Sequence, residues 1–204
     1  VLDECGVCNG DGLSCGVIDY CLDLYSGANL ISFYGLPDDV SISHVMSSVE
    51  GNATGVIGEG VAANWNGTDW VGSLNTISPA SGYWVIVNAI GSLFLCDAVL
   101  TDPVYIYDLH PGANLISFPS FGSIDISAAI PDDVEGYLTG IISQGIATTN
   151  HPALGWIGSL NAFNGGKGYW VITSEDISFS FELNTLQRIS SNNYTEEALE
   201  GYEY

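Results

Sequence analysis

Lysine and arginine are almost missing from this chain of 204 residues. Lys167 and Arg188 stand alone against 24 acids, a formal net charge of −22. So negative a surface repels nucleic-acid phosphates and anionic membranes, which argues against both as partners. With two cations available, the carboxylates have to be solvated, protonated or bound to metal ions. The same scarcity removes nearly every trypsin site, which suits a protein living outside cells. No apolar run approaches the roughly 18 residues of a membrane span. There is no initiator Met and no signal-peptide pattern, so the chain reads as a mature or excised piece of something longer.

Catalytic signatures are also missing. No G-x-S-x-G elbow, H-E-x-x-H pair or P-loop occurs. "GVIGEG" at Gly55–Gly60 has phosphate-loop glycines at the wrong spacing, with a Glu where an anion would sit. His44, His110 and His151 have no matching histidines elsewhere in the chain. The acid pairs Asp38–Asp39 and Asp132–Asp133 both read "PDDV", which turn and helix-start chemistry explains. The chain is read as not an enzyme.

What is present is a duplication. "GANLISF" occurs at Gly27–Phe33 and again at Gly112–Phe118, a spacing of 85. "VEG", "TG[VI]I", "W[VI]GSLN" and "GYWVI" recur in the same order, and the offset shifts to 86 through an insertion near Pro152–Ala153. Self-similarity at a fixed period marks tandem units. The chain divides into a Cys-rich lead (1–16), module 1 (17–100), module 2 (101–187) and an acidic tail (188–204).

"DYCLDL" alternates, with Tyr20, Leu22 and Leu24 on one face and Asp19, Cys21 and Asp23 on the other, as a half-buried strand does. "ANLISF" and "YWVIV" are apolar on both faces, which predicts central strands covered on each side. Ile42, Val45, Met46 and Val49 fall at helical spacing, with Ser41 as N-cap and Gly51 as stop. The counterpart "ISAAIPDDVEG" is interrupted by Pro131 and should be shorter. "ISFSFEL" alternates Ile177, Phe179, Phe181 and Leu183 with polar residues. The fold class is mainly β: two tandem sandwich- or barrel-like modules of about 85 residues, each with one short helix.

Differences between the copies direct attention to module 1. Cys21 stands against Ile106, Cys96 against Glu182, Phe94 against Ser180, and Trp65 against Asn150. Cys21 and Cys96 point to the polar side of the first and last strands. A Cys21–Cys96 disulfide is expected, closing a loop of about 75 residues and contributing about 3–4 kcal/mol in the chain-entropy model. An outward Phe94 implies a covered face, under the lead or another chain.

The lead, "DECGVCNGDGLSC", sets Asp3, Asn9 and Asp11 among glycines as hard oxygen ligands. It resembles the calcium-binding, Cys-containing repeats of thrombospondin type 3, without their run of aspartates. Calcium is the first expectation. A disulfide-stapled turn is the second, and a zinc site on Cys5, Cys8 and Cys15 the third, disfavoured by the oxygen-rich surroundings. Five cysteines, three within fifteen residues, favour an oxidising, extracellular setting. Pairing Cys21 with Cys96 leaves Cys5, Cys8 and Cys15 with an odd thiol. That thiol is bonded to another chain, paired with sequence outside this piece, or buried and free.

The two "GANLISF … GYW" units resemble a bacterial extracellular repeat of the form "GWNLISLP … GYW", with Ala28 and Ala113 replacing its first Trp. The resemblance implies a structural or adhesive accessory domain and carries no catalytic residues. The expected function is an extracellular structural protein, a self-assembling subunit of a filament, sheath or surface appendage whose partners are copies of itself. The alternative is a carbohydrate-binding or adhesion module. Trp70, Trp84, Trp156 and Trp170 recur in both copies and read as packing. Trp65 is unmatched, so a glycan platform would use Trp65 with Asn66 and Asp69.

Overall fold

The computed structural model describes residues 17–183, which are mainly β, with 51% strand and 9% helix. The expected calcium ligands Asp3, Asn9 and Asp11, the cysteines Cys5, Cys8 and Cys15, and the acidic tail lie outside the described residues.

The first half runs β1 (Val17–Leu24), β2 (Gly27–Ser32), β3 (Gly35–Leu36), α1 (Ile42–Val45), β4 (Ala53–Ile57), β5 (Ala62–Trp65), β6 (Trp70–Gly72), β7 (Gly82–Val87) and β8 (Gly91–Leu100). The second half runs β9 (Tyr107–Leu109), β10 (Gly112–Ile116), β11 (Ser123–Asp125), α2 (Ile126–Ala129), α3 (Asp132–Glu135), β12 (Leu138–Ser143), β13 (Ile146–His151), β14 (Gly155–Gly158), β15 (Ala162–Asn164), β16 (Tyr169–Thr173) and β17 (Ile177–Phe179). Each half builds one antiparallel five-stranded sheet: β2-β7-β4-β5-β6 in the first and β10-β16-β12-β13-β14 in the second. Smaller sheets, β1-β8-β3 in the first half and β9-β17 and β11-β15 in the second, complete the layers.

Each half has its own core. Val56, Val85, Leu24, Phe33 and Leu93 are fully buried in the first, with Met46 from the turn after α1. The second is built on Phe118, Phe163 and Phe181, whose rings meet at 4.9–5.7 Å between centroids, two of the three contacts edge-to-face. Such geometry suits the ring quadrupoles.

Ser41 caps α1, its hydroxyl accepting the His44 N–H, and Ile42, Val45, Met46 and Val49 are all buried. The helix nevertheless stops after one turn and passes into a 3-10 turn at Ser47–Val49. The second half has two one-turn helices rather than one, because Pro131 lacks the N–H that would continue α2 and instead starts α3.

"GANLISF" is not a central strand. In their own sheets β2 and β10 are edge strands, each bonded to one neighbour, β7 and β16 respectively. One face of each strand is buried in its own core, and the other, at Leu30 and Leu115, against the opposite half of the chain.

The Cys21–Cys96 disulfide is not formed. Cys21 lies opposite Phe94, and Tyr20 opposite Leu95; the ladder then slips, so that Asp19 faces a bulge at Cys96–Asp97 before Ile18 pairs with Ala98. Asp97 takes φ +51° there, and its N–H donates to the Asp19 carboxylate. The regular ladder from Leu24 to Tyr20 thus sets Cys96 two residues beyond the partner of Cys21, out of register for pairing. Cys21 is a free thiol, whereas Cys96 is disulfide-bonded.

Candidate functional site: the contact between the two halves

The free edges of β2 and β10 are where the duplicated motif does its work. On β2, the Leu30 N–H donates to Gln144 Oε1 at 2.9 Å, and Gln144 Nε2 donates back to the Ala28 carbonyl at 3.1 Å. One side-chain amide thus satisfies the edge as a further strand would. On β10, the Leu115 N–H donates to Glu59 Oε2 at 2.7 Å. Glu59 and Gln144 hold the same place in their halves, just after β4 and β12. Each half therefore clamps the other's "GANLISF" strand, in the reciprocal manner of a two-fold interface.

A carboxylate cannot donate as the Gln amide does. Its second oxygen, Oε1, instead sits 2.8 Å from Nε2 of His110. His110 occupies the place of Tyr25, so the two differences between the copies belong to one substitution of clamp chemistry. The His110 pKa is raised, first by the hydrogen bond to the Pro111 carbonyl, then by the bond to Glu59, with Asp176 adding a smaller attraction. The pair is exposed, which limits its strength.

The motif now reads letter by letter. Gly27 and Gly112 take φ of +98° and +104°, a left-handed turn that favours glycine. Asn29 and Asn114 close the turn ahead of each strand: their Oδ1 atoms accept the Tyr25 and His110 N–H groups, and their amides donate to the same residues' carbonyls. Ile31 and Phe33, like Ile116 and Phe118, enter the cores. Ser32 and Ser117 cross the boundary, donating to the carbonyls of Lys167 and Pro79, each at 2.6 Å.

The "GYW" glycines belong to the same contact. A Cβ on Gly82 would lie 2.8 Å from Leu115 Cδ1 and 3.0 Å from the Ile116 carbonyl. On Gly168 it would lie 2.8 Å from the Ile31 carbonyl and 2.9 Å from Leu30 Cδ1. Isolated bridges at Ile31–Lys167 and Ser81–Ile116 complete the symmetric crossing. Sequence reading singled out none of Glu59, Gln144, Gly82 or Gly168 for this role. The signal was the paired change Glu59/Gln144 with His110/Tyr25 across an otherwise matching duplication.

The expected interface residue Phe94 and the expected glycan contacts Trp65, Asn66 and Asp69 have their partners elsewhere. Phe94, half-buried, lines a cleft of about 570 Å³ with Pro37, Asp39, Val45, Ser48 and Cys96. Its backbone N–H and carbonyl are both bonded to the Ser48 hydroxyl. Asp39 accepts the Ser41 N–H, which holds its carboxyl below the ordinary range. Trp65 packs on Trp70 across the β5–β6 hairpin, centroids 5.6 Å apart. Asn66 is consumed by the turn itself, its Oδ1 accepting from the Thr68 N–H, the Thr68 hydroxyl and the Asp69 N–H, while Asp69 accepts from the Thr68 hydroxyl.

The equivalent hairpin in the second half is wired differently. Trp156 donates its indole N–H to Glu135 at 2.6 Å, and Asn150, in the place of Trp65, donates to the Glu135 carbonyl. The Trp70 indole N–H is buried without a partner. No three His, Cys, Asp or Glu side chains converge as a metal site among the described residues.

No protein-family model, curated protein or solved structure matches the chain.

Proposed function

We propose that this chain is an extracellular structural protein, a subunit that assembles with copies of itself into a filament, sheath or surface appendage. The observation that carries the reading is the reciprocal clamp, in which Gln144 meets Leu30 and Glu59 meets Leu115. The duplicated residues are spent on self-complementary recognition between like units, the requirement of a protein that builds from copies of itself. A disulfide at Cys96 accords with an oxidising compartment. Calcium at Asp3, Asn9 and Asp11 is part of the same proposal, as a brace for the lead. Negative-stain microscopy with and without a calcium chelator tests it: assembled particles are expected in calcium, and strictly monomeric particles under both conditions would refute it.

A second reading, a carbohydrate-binding or adhesion module, is favoured by one observation. Trp65 and Trp70 form an aromatic pair at a hairpin with an exposed turn. A glycan screen comparing the parent with Trp65→Ala separates the two readings, since a structural subunit gives no sugar signal that depends on Trp65.

A further inference from the structure

The charges of the described residues are segregated. None of the ten strands in the two five-stranded sheets contains Asp, Glu, Lys or Arg, although the whole chain carries 24 acids. The acids of the described residues lie elsewhere: Asp19, Asp23 and Asp97 on β1 and β8, Asp108 on β9, Asp125 on β11, and the others in loops, turns and helices.

The outer face of these sheets is also apolar. Register places Trp84 beside Ile57, and Ile86 in a row with Gly55, Asn64 and Val71. The second half repeats the pattern, with Trp170 beside Ile142, and Ile172 in a row with Gly140, Thr149 and Ile157. Val71 is 56% exposed and Ile157 48%. Both sit on the side of the sheet away from the cores.

One end of this face is already covered. Leu30 shares a row with Trp84 and Leu115 with Trp170, yet both leucines are buried, against Gly168 and Gly82 of the opposing half. The exposed face thus continues directly from the self-complementary contact. Two copies of a chain with a net charge of −22 repel each other over most of their surface. They approach without opposed carboxylates only where acids are absent.

We propose that this outer face docks on the same face of a second copy, sheet against sheet, with Val71 and Ile157 inside the contact. The inference rests on the self-assembly reading and names the surface that carries it.

The test is sedimentation velocity of the full chain over a range of concentration and ionic strength. It compares the parent, a Val71→Glu/Ile157→Glu double variant, and an Ile106→Glu control. Ile106 is 61% exposed and lies outside the ten strands. Circular dichroism and thermal melting establish that all three fold. Expected are association of the parent that strengthens with salt, a dissociation constant at least tenfold higher in the double variant, and no change in the control. If the double variant associates like the parent, this surface is wrong while self-assembly stands. If the parent stays monomeric throughout, both fall. If it stays monomeric and is retained on an insoluble neutral polysaccharide only while Val71 and Ile157 are intact, the face belongs to a glycan instead.

Discussion

The Leu30 N–H and the Gln144 side-chain amide meet at 2.9 Å across the boundary between the two halves of the chain. Gln144→Ala removes both bonds that amide makes to the β2 edge and leaves a part-buried donor without its partner. We expect a loss of about 1–3 kcal/mol in chemical denaturation. Gln144→Glu should lie between parent and Ala, because it keeps the acceptor and loses the donor to Ala28.

The glycines at the crossing have no room for a methyl group. Gly82→Ala and Gly168→Ala each force a Cβ against a leucine side chain and a backbone carbonyl of the opposing strand. Each should cost about 1–3 kcal/mol as overpacking. Gly136→Ala, where a Cβ meets nothing within 4 Å, is the control expected to be near neutral.

The Glu59–His110 pair gives the contact a pH dependence of known sign. The folded-state pKa of His110 is raised above its unfolded value. Its contribution is therefore fully present below the unfolded pKa, about 6.5, and is lost as pH rises through the folded value. The Tm difference between the parent and His110→Ala should be larger at pH 5.5 than at pH 8.5. An equal difference at both would contradict the pairing.

The two hairpin tryptophans should respond unequally to loss of the indole N–H. Trp156→Phe breaks a bond to a carboxylate, with an expected cost of about 1.5–3 kcal/mol. Trp70→Phe removes a buried N–H that has no partner, so its cost should be smaller by at least about 1 kcal/mol.

Disulfide mapping by non-reducing peptide mass spectrometry should find Cys96 joined to a cysteine outside residues 17–183, and Cys21 unbonded. A peptide joining Cys21 to Cys96 would overturn the assignment.

The β class was legible because alternation in "DYCLDL" and "ISFSFEL" reports a buried face directly. The position of "GANLISF" was not. Periodicity shows that both faces of a strand are covered, and a central strand and an edge strand capped by another unit look the same. The Cys21–Cys96 pairing failed for a related reason. The ladder sets Cys21 opposite Phe94, two residues short of Cys96, and alternation reports the faces of a strand but not its register against a neighbour. The clamp was half-visible: Glu59 against Gln144 and His110 against Tyr25 can be read from the duplicated sequence, but that they touch is a long-range fact.

Amide hydrogen exchange at Leu30 and Leu115 in the full chain tests the reciprocal clamp most directly. The account predicts protection of both amides in the parent. In Gln144→Ala, protection should fall at least tenfold at Leu30 and persist at Leu115; in Glu59→Ala the pattern should reverse. Protection at Leu30 that is indifferent to Gln144, 114 residues away in sequence, would contradict it.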